Sequence, residues 1–204
     1  MPYGYIGQNL PNQTKSNSGV FSVSDVADLE KQGKFGGSLE FIAEETFSSS
    51  SAIEFTNIKE NIYNVHFLQV IATEFNGNGR VYLSNDGGTS YITSGYHEGG
   101  HYGFVNGSNG HQGGSSQGYF NDIGAGSGGR IKNQYLYIYN AGNSSKFTNA
   151  TFHAFGEHPT ADVFFYGGNL HPTAETINAI KIAPTSSTMT GTIKLFGIKQ
   201  LWVL

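Results

Sequence analysis

From residue 38 onward, apolar and polar side chains alternate with a period of two, the pattern of strands that bury one face. Leu39-Glu40-Phe41-Ile42-Ala43 and Ile53-Glu54-Phe55-Thr56 follow this rule. The stretch 63–72, from Tyr63 to Ala72, is longer and more continuously apolar, as a central strand would be. Further strands are predicted around 80–84, 134–139, 147–155, 161–166, 176–183 and 191–199. Between Arg80-Val81-Tyr82-Leu83-Ser84 and Thr89-Ser90-Tyr91-Ile92 lies Asn85-Asp86-Gly87-Gly88, whose residues tolerate positive φ and predict a tight hairpin. Residues 95–129 break the alternation and are dense in glycine, which predicts one or two large loops. Roughly eight or nine short strands with polar turns predict an all-β fold, an antiparallel β-sandwich of jelly-roll type. No helix alternates with strands, which disfavours an α/β enzyme fold.

The N-terminal part reads differently. Residues 1–20 are mostly Gly, Asn, Gln, Ser and Pro, a composition expected to be extended or ordered by a partner. One short helix is predicted over 22–32: Ser22 caps it, Val23, Val26 and Leu29 make a narrow apolar face, and Gly33 stops it. A helix this short needs a docking surface, so Val23, Val26 and Leu29 are the candidate assembly residues. The organisation is therefore an arm and helix at 1–36, acting as an attachment segment, and a sandwich domain at 37–204 that carries the glycine-rich region at 95–129.

Composition supports the strand reading and removes several function classes. The chain has 204 residues, with 15 Phe, 12 Tyr and 29 Gly, which suits pleated half-buried surfaces joined by turns. Charged residues are only 13%, against about 25% in an ordinary soluble domain, so the surface is built from Ser, Thr, Asn, Gly and Tyr. Such a surface is typical of chains that live against other proteins. The net charge is −4 with no basic stripe, which argues against nucleic-acid binding. With no cysteine there is no disulfide framework and no thiol chemistry. No apolar run approaches the ~20 residues that span a bilayer and no signal peptide is visible, so a chain made in a cytoplasm and not inserted in a membrane is expected.

Candidate chemistry is sparse. His97-Glu98-Gly99-Gly100-His101 matches the H-E-x-x-H zinc signature, but that chemistry needs a helix, and two adjacent glycines disfavour one. In a strand, residues four apart are separated by ~13 Å, too far to share one metal. Glu44 and Glu45 are adjacent and would point to opposite faces, so they cannot flank one bond. The glycines at 124, 126 and 129 have dinucleotide-loop spacing yet lead into a strand. No catalytic residue, cofactor or metal is assigned. The remaining candidates are Tyr96, His97, His101, Tyr102 and His111, expected on a loop where they would stack on a sugar or touch a partner.

Three stretches resemble the β-sandwich domains of tailed-phage virion proteins, abundant among marine and cyanobacterial phages. They are Ile53-Glu54-Phe55-Thr56-Asn57-Ile58, the segment Leu83-Ser84-Asn85-Asp86-Gly87-Gly88-Thr89-Ser90-Tyr91, and Gly191-Thr192-Ile193-Lys194-Leu195-Phe196-Gly197-Ile198-Lys199. The stretch from Gly19 to Glu40 is similar to the N-terminal part of the same group. The resemblance implies a non-enzymatic virion structural component, a tail-fibre, appendage or capsid-surface protein, commonly oligomeric and often trimeric. Its partners would be other capsid or tail proteins. The alternative is a receptor- or glycan-binding module at a fibre tip, contacting a host-surface glycan.

Overall fold

The computed structural model describes Ser24, Asp28 and residues 39–123 and 130–199. Ser24 and Asp28 are helical and fall within the helix expected over 22–32. Val23, Val26 and Leu29, and the glycines at 124, 126 and 129, lie outside the described residues.

The described residues within 39–123 and 130–199 form two antiparallel sheets, with no helix among them. The strands in chain order are β1 (Leu39–Ser50), β2 (Ile53–Phe55), β3 (Val65–Phe75), β4 (Gly79–Ser84), β5 (Tyr96–Phe104) and β6 (Asn109–Gln117). They continue with β7 (Asn121–Asp122), β8 (Arg130–Tyr139), β9 (Phe147–Gly156), β10 (Val163–Ala174), β11 (Ala179–Pro184) and β12 (Met189–Ile198). The larger sheet has eight strands in the order β1-β12-β3-β8-β9-β10-β5-β6, and the smaller has four in the order β2-β11-β4-β7. Successive strands therefore change sheet: β1 and β2 are split between the two, as are β3 and β4, β7 and β8, and β11 and β12. The strands β9, β10, β5 and β6 extend the large sheet on one side of β8.

Alternation in the sequence explains the shared core. In β8, Leu136 and Ile138 are buried while Tyr137 between them and Tyr135 before them face away. The same rule turns Leu68 and Val70 of β3, Phe152 of β9, Phe165 of β10, and Ile193 and Leu195 of β12 inward. There they pack with Ile53 and Phe55, Val81 and Leu83, and Ile180 and Ile182 of the small sheet in one apolar cluster. Each fully buried Val, Leu, Ile or Phe contributes roughly 1.5–3 kcal/mol, so the pairing of the two faces dominates stability.

Two expectations are corrected. The turn at 85–88 exists, with Gly87 and Gly88 at φ 75° and 89°, but its second arm is not a strand. Ile92 donates its N–H to the Leu83 carbonyl (2.9 Å), whereas the ladder partners of β4 are β11 and β7. Asp86 organises the turn instead: its carboxylate accepts the Ser90 hydroxyl (2.6 Å), the Ser90 N–H (2.9 Å) and the Ser84 hydroxyl (2.7 Å). Those donors, Ser90 foremost, pull its carboxyl down to about 2.

The second correction concerns 95–129, whose described residues, 95–123, hold the paired strands β5 and β6 and the short β7 rather than large loops. At several of the described positions, Gly100 and Gly113 among them, glycine is required by close approach. Gly167 of β10 pairs with Gly100 of β5 and Gly168 with Gly99, while Gly99 pairs with Gly113 of β6. A Cβ on Gly167 would lie 2.2 Å from the Gly99 carbonyl oxygen, and one on Gly100 would lie 2.4 Å from the Phe165 ring. A Cβ on Gly99 would meet nothing within 4 Å. Gly167→Ala is therefore expected to destabilise the fold by about 2 kcal/mol, since backbone cannot yield as a side chain can. Gly99→Ala, in the same patch, should stay within about 0.5 kcal/mol of the parent. Chemical denaturation of the two variants checks this; equal losses would contradict the close-approach account.

Candidate functional site

The inward residues make the core, and the outward residues of the same strands make the candidate site. Antiparallel register places an outward ring on every strand of the large sheet, one on each except β8, where the row steps from Tyr137 to Tyr135. Phe41 of β1 faces Phe196 of β12, Phe196 faces Phe67 of β3, and Phe67 faces Tyr137 of β8. Tyr135 of β8 then faces His153 of β9, His153 faces Tyr166 of β10, Tyr166 faces His101 of β5, and His101 faces His111 of β6. All eight strands take part.

The rings touch along this row. Centroids lie 5.8 Å apart for Phe41–Phe196, 6.0 Å for Phe196–Phe67 and 4.9 Å for Phe67–Tyr137. On the other side the spacings are 5.7 Å for Tyr135–His153, 6.3 Å for His153–Tyr166, 5.7 Å for Tyr166–His101 and 5.1 Å for His101–His111. Pairs of this kind contribute roughly 0.2–1 kcal/mol each, enough to hold the register but not to need the exposed area. Phe41 is 57% exposed, Tyr166 48% and Tyr135 42%, and neighbouring Phe155 is 51% exposed. The row contains no lysine, arginine or carboxylate; an ion pair, Lys194–Glu44 (2.9 Å), lies one outward position along β12 from Phe196.

A groove of about 330 Å³ opens beside the row. Phe67, Ile71, Tyr135, His153 and Phe155 form its apolar walls, with the amides of Gln69 and Asn133 among them. A bulge makes the space: β3 and β8 are in register up to Val70 opposite Gln134 and resume at Thr73 opposite Lys132. Two residues of β3 thus oppose one of β8, and Ala72 takes a φ of 45°, which an L-residue adopts at a cost. Asn133 fixes the distortion by accepting the Ala72 N–H on its Oδ1 (2.8 Å). That leaves the Nδ2 group of Asn133 as a donor for something else.

The sequence-predicted residues are divided by the strand rather than gathered on a loop. Tyr96, in β5, is fully buried against Phe120 and His171, and its hydroxyl donates to the Ile92 carbonyl and accepts the Leu83 N–H. Tyr102 is partly buried against the core. His97 lies on the opposite face from Tyr96 and is partly exposed. His101 and His111 do come together, as the cross-strand pair that ends the aromatic row. The five residues of the zinc signature all lie in β5, so its helical geometry is not formed, and Glu98 points inward, away from both histidines.

Glu98 belongs to a buried polar network that the sequence did not reveal. Its Oε1 accepts the Asp122 N–H (3.0 Å) and the Asn169 amide (3.4 Å). Asn121 donates to Asn169 (3.1 Å) and accepts from Gln134, while Asp122 accepts from Asn78 (3.0 Å) and Gln112 (3.2 Å). Burial pushes both carboxyls up; for Glu98 the Asp122 N–H opposes the shift and the Asp122 charge adds to it. No sequence signal marked it, because Glu98, Gln112, Asn121 and Asp122 lie in the stretch whose glycine density reads as loop.

Burial places the folded-state pKa of Glu98 above its ordinary 4.5, so the folded protein holds this proton more tightly than the unfolded chain. The corresponding stability is present below pH 4.5 and is lost as pH rises through the folded value. Glu98→Gln keeps the acceptor and removes the ionisation. Its melting temperature relative to the parent should therefore rise as the pH is raised above 4.5. Parallel melting curves across that range would contradict the assignment.

Compared with known proteins, the chain matches no protein-family model, no curated protein and no solved structure.

Proposed function

We propose that the chain is a non-enzymatic structural protein of a tailed-phage particle, a jelly roll that meets its partners through the outer face of its large sheet. The single observation that carries this reading is the aromatic row, which crosses all eight strands with its rings partly exposed and no charged group among them. Apolar surface of that extent marks a contact surface, because leaving it in water forgoes roughly 25 cal/mol for each Å².

The strand order supports the jelly-roll part. In that architecture a long hairpin of strand pairs rolls up, so the first strand lies beside the last and successive strands fall in opposite sheets. β1-β12-β3-β8 over β2-β11-β4-β7 follows this rule, with β5–β6 and β9–β10 as insertions that widen one sheet. Jelly rolls recur in viral capsid and lectin domains. The low charge of the surface and the resemblance to virion sandwich domains agree with partners that are other capsid or tail proteins and further copies of this chain, as in a trimer. Residues 1–36 are the proposed attachment segment.

Replacing Phe41 and Tyr166 together by Ser tests the reading at two places far apart on the row. Because both are about half exposed, the fold should lose only about 1–2 kcal/mol, while incorporation into particles falls at least tenfold. Normal incorporation of a folded double variant would overturn the proposal. Deletion of residues 1–36 should likewise leave the sandwich folded and abolish incorporation.

A further inference from the structure

We infer that the groove beside Tyr135 binds a neutral saccharide chain. The inference rests on the reading of the outer face as a contact surface and names what one part of that surface takes. The groove is concave and built. The β3 bulge, the positive φ of Ala72 and the Asn133–Ala72 hydrogen bond together hold β3 and β8 out of simple register at this point. Backbone distortion beside a cleft is where strands are re-aimed for recognition.

The lining chooses the ligand class. Phe67, Tyr135 and Phe155 supply ring surface for the C–H faces of a pyranose, and Gln69, Asn133 and His153 supply donors and acceptors for its hydroxyls. The Asn133 Oδ1 is already used by the Ala72 N–H, which reserves its Nδ2 donors for a ligand. No Lys, Arg, Asp or Glu lines the groove, so a uronic-acid or sulfated glycan would find no counter-charge there and a cationic ligand no carboxylate. A volume of about 330 Å³ lies at the small end of ligand sites, room for a short stretch of a sugar chain. The aromatic row continues past the groove through His153 to Tyr166, which lets a longer chain run on across the sheet. A second copy of this chain, the other occupant such a face suggests, would be better served by a flush apolar surface than by a cleft edged with amides.

The test uses the full-length protein on an array of neutral oligosaccharides and anionic uronic-acid oligosaccharides, with titration calorimetry of the hits. Binding of one or more neutral chains is expected, with Kd between about 10 µM and 1 mM, and no binding of the uronic-acid series. Tyr135→Ala with Phe155→Ala should weaken the hit at least tenfold while the circular dichroism spectrum and melting transition remain those of a folded protein. Phe41→Ser, outside the groove and off that track, should change it less than threefold. Absence of neutral-sugar binding, or binding indifferent to the Tyr135 and Phe155 changes, overturns the inference. So does loss of a sedimenting oligomer in the groove variant without any sugar binding, which would give the groove to a second copy. The two proposals separate cleanly. If the Phe41/Tyr166 variant fails to enter particles but no glycan binds, the contact surface stands and the saccharide falls; bound glycan with normal incorporation gives the reverse.

Discussion

The antiparallel register of the large sheet is the constraint on which the other features depend. Because side chains alternate across a strand, fixing one pair fixes the face of every residue in both strands. Pairing Leu68 with Leu136 and Leu195 turns all three into the core, and the same pairing brings Phe67 beside Tyr137 and Phe196 on the other face. A slip of one residue would expose the core leucines and bury the row. The core and the candidate site are therefore two sides of one arrangement, and selection on either acts on both.

Where the register is interrupted, the interruption has a consequence. At Ile71 and Ala72 the extra residue of β3 opens the groove between β3 and β8. In the glycine patch of β10, β5 and β6 the register is kept but side chains are removed, so that Gly167 can lie against the Gly99 carbonyl. Beneath that patch Glu98, Asn169 and Asn121 are buried and bonded to one another. A connected polar network inside a core is costly in isolation but specifies which strands meet, since a wrong partner would leave its groups unpaired.

Much of the strand content was legible from alternation alone: β3, β8, β9 and β12 fall where Tyr63–Ala72, Gln134–Tyr139, Phe147–Phe155 and Gly191–Lys199 suggested. What failed did so for local reasons. Glycine density at 95–129 resembled loop because propensity cannot distinguish a glycine that bends the chain from one that makes room for Phe165. The Asn-Asp-Gly-Gly signal at 85–88 gave a turn but not a hairpin, because β4 found longer-range partners in β11 and β7. The aromatic row was illegible in principle: His101 and Tyr166 are 65 positions apart in sequence (166 − 101), and only their pairing in the sheet makes them neighbours. Of the five residues proposed from the sequence, only His101 and His111 belong to it, since alternation sends Tyr96 and Tyr102 inward.

Hydroxyl-radical footprinting of the isolated protein and of the same protein in intact particles tests the contact-surface account most directly. In the free chain Phe41, Tyr135, Phe155 and Tyr166 should be readily oxidised, in keeping with their exposure. In the particle they should be protected severalfold, while Ile62 and Val105, exposed outside the row, keep their reactivity. Protection of Ile62 and Val105 with the row still fully reactive would contradict the account.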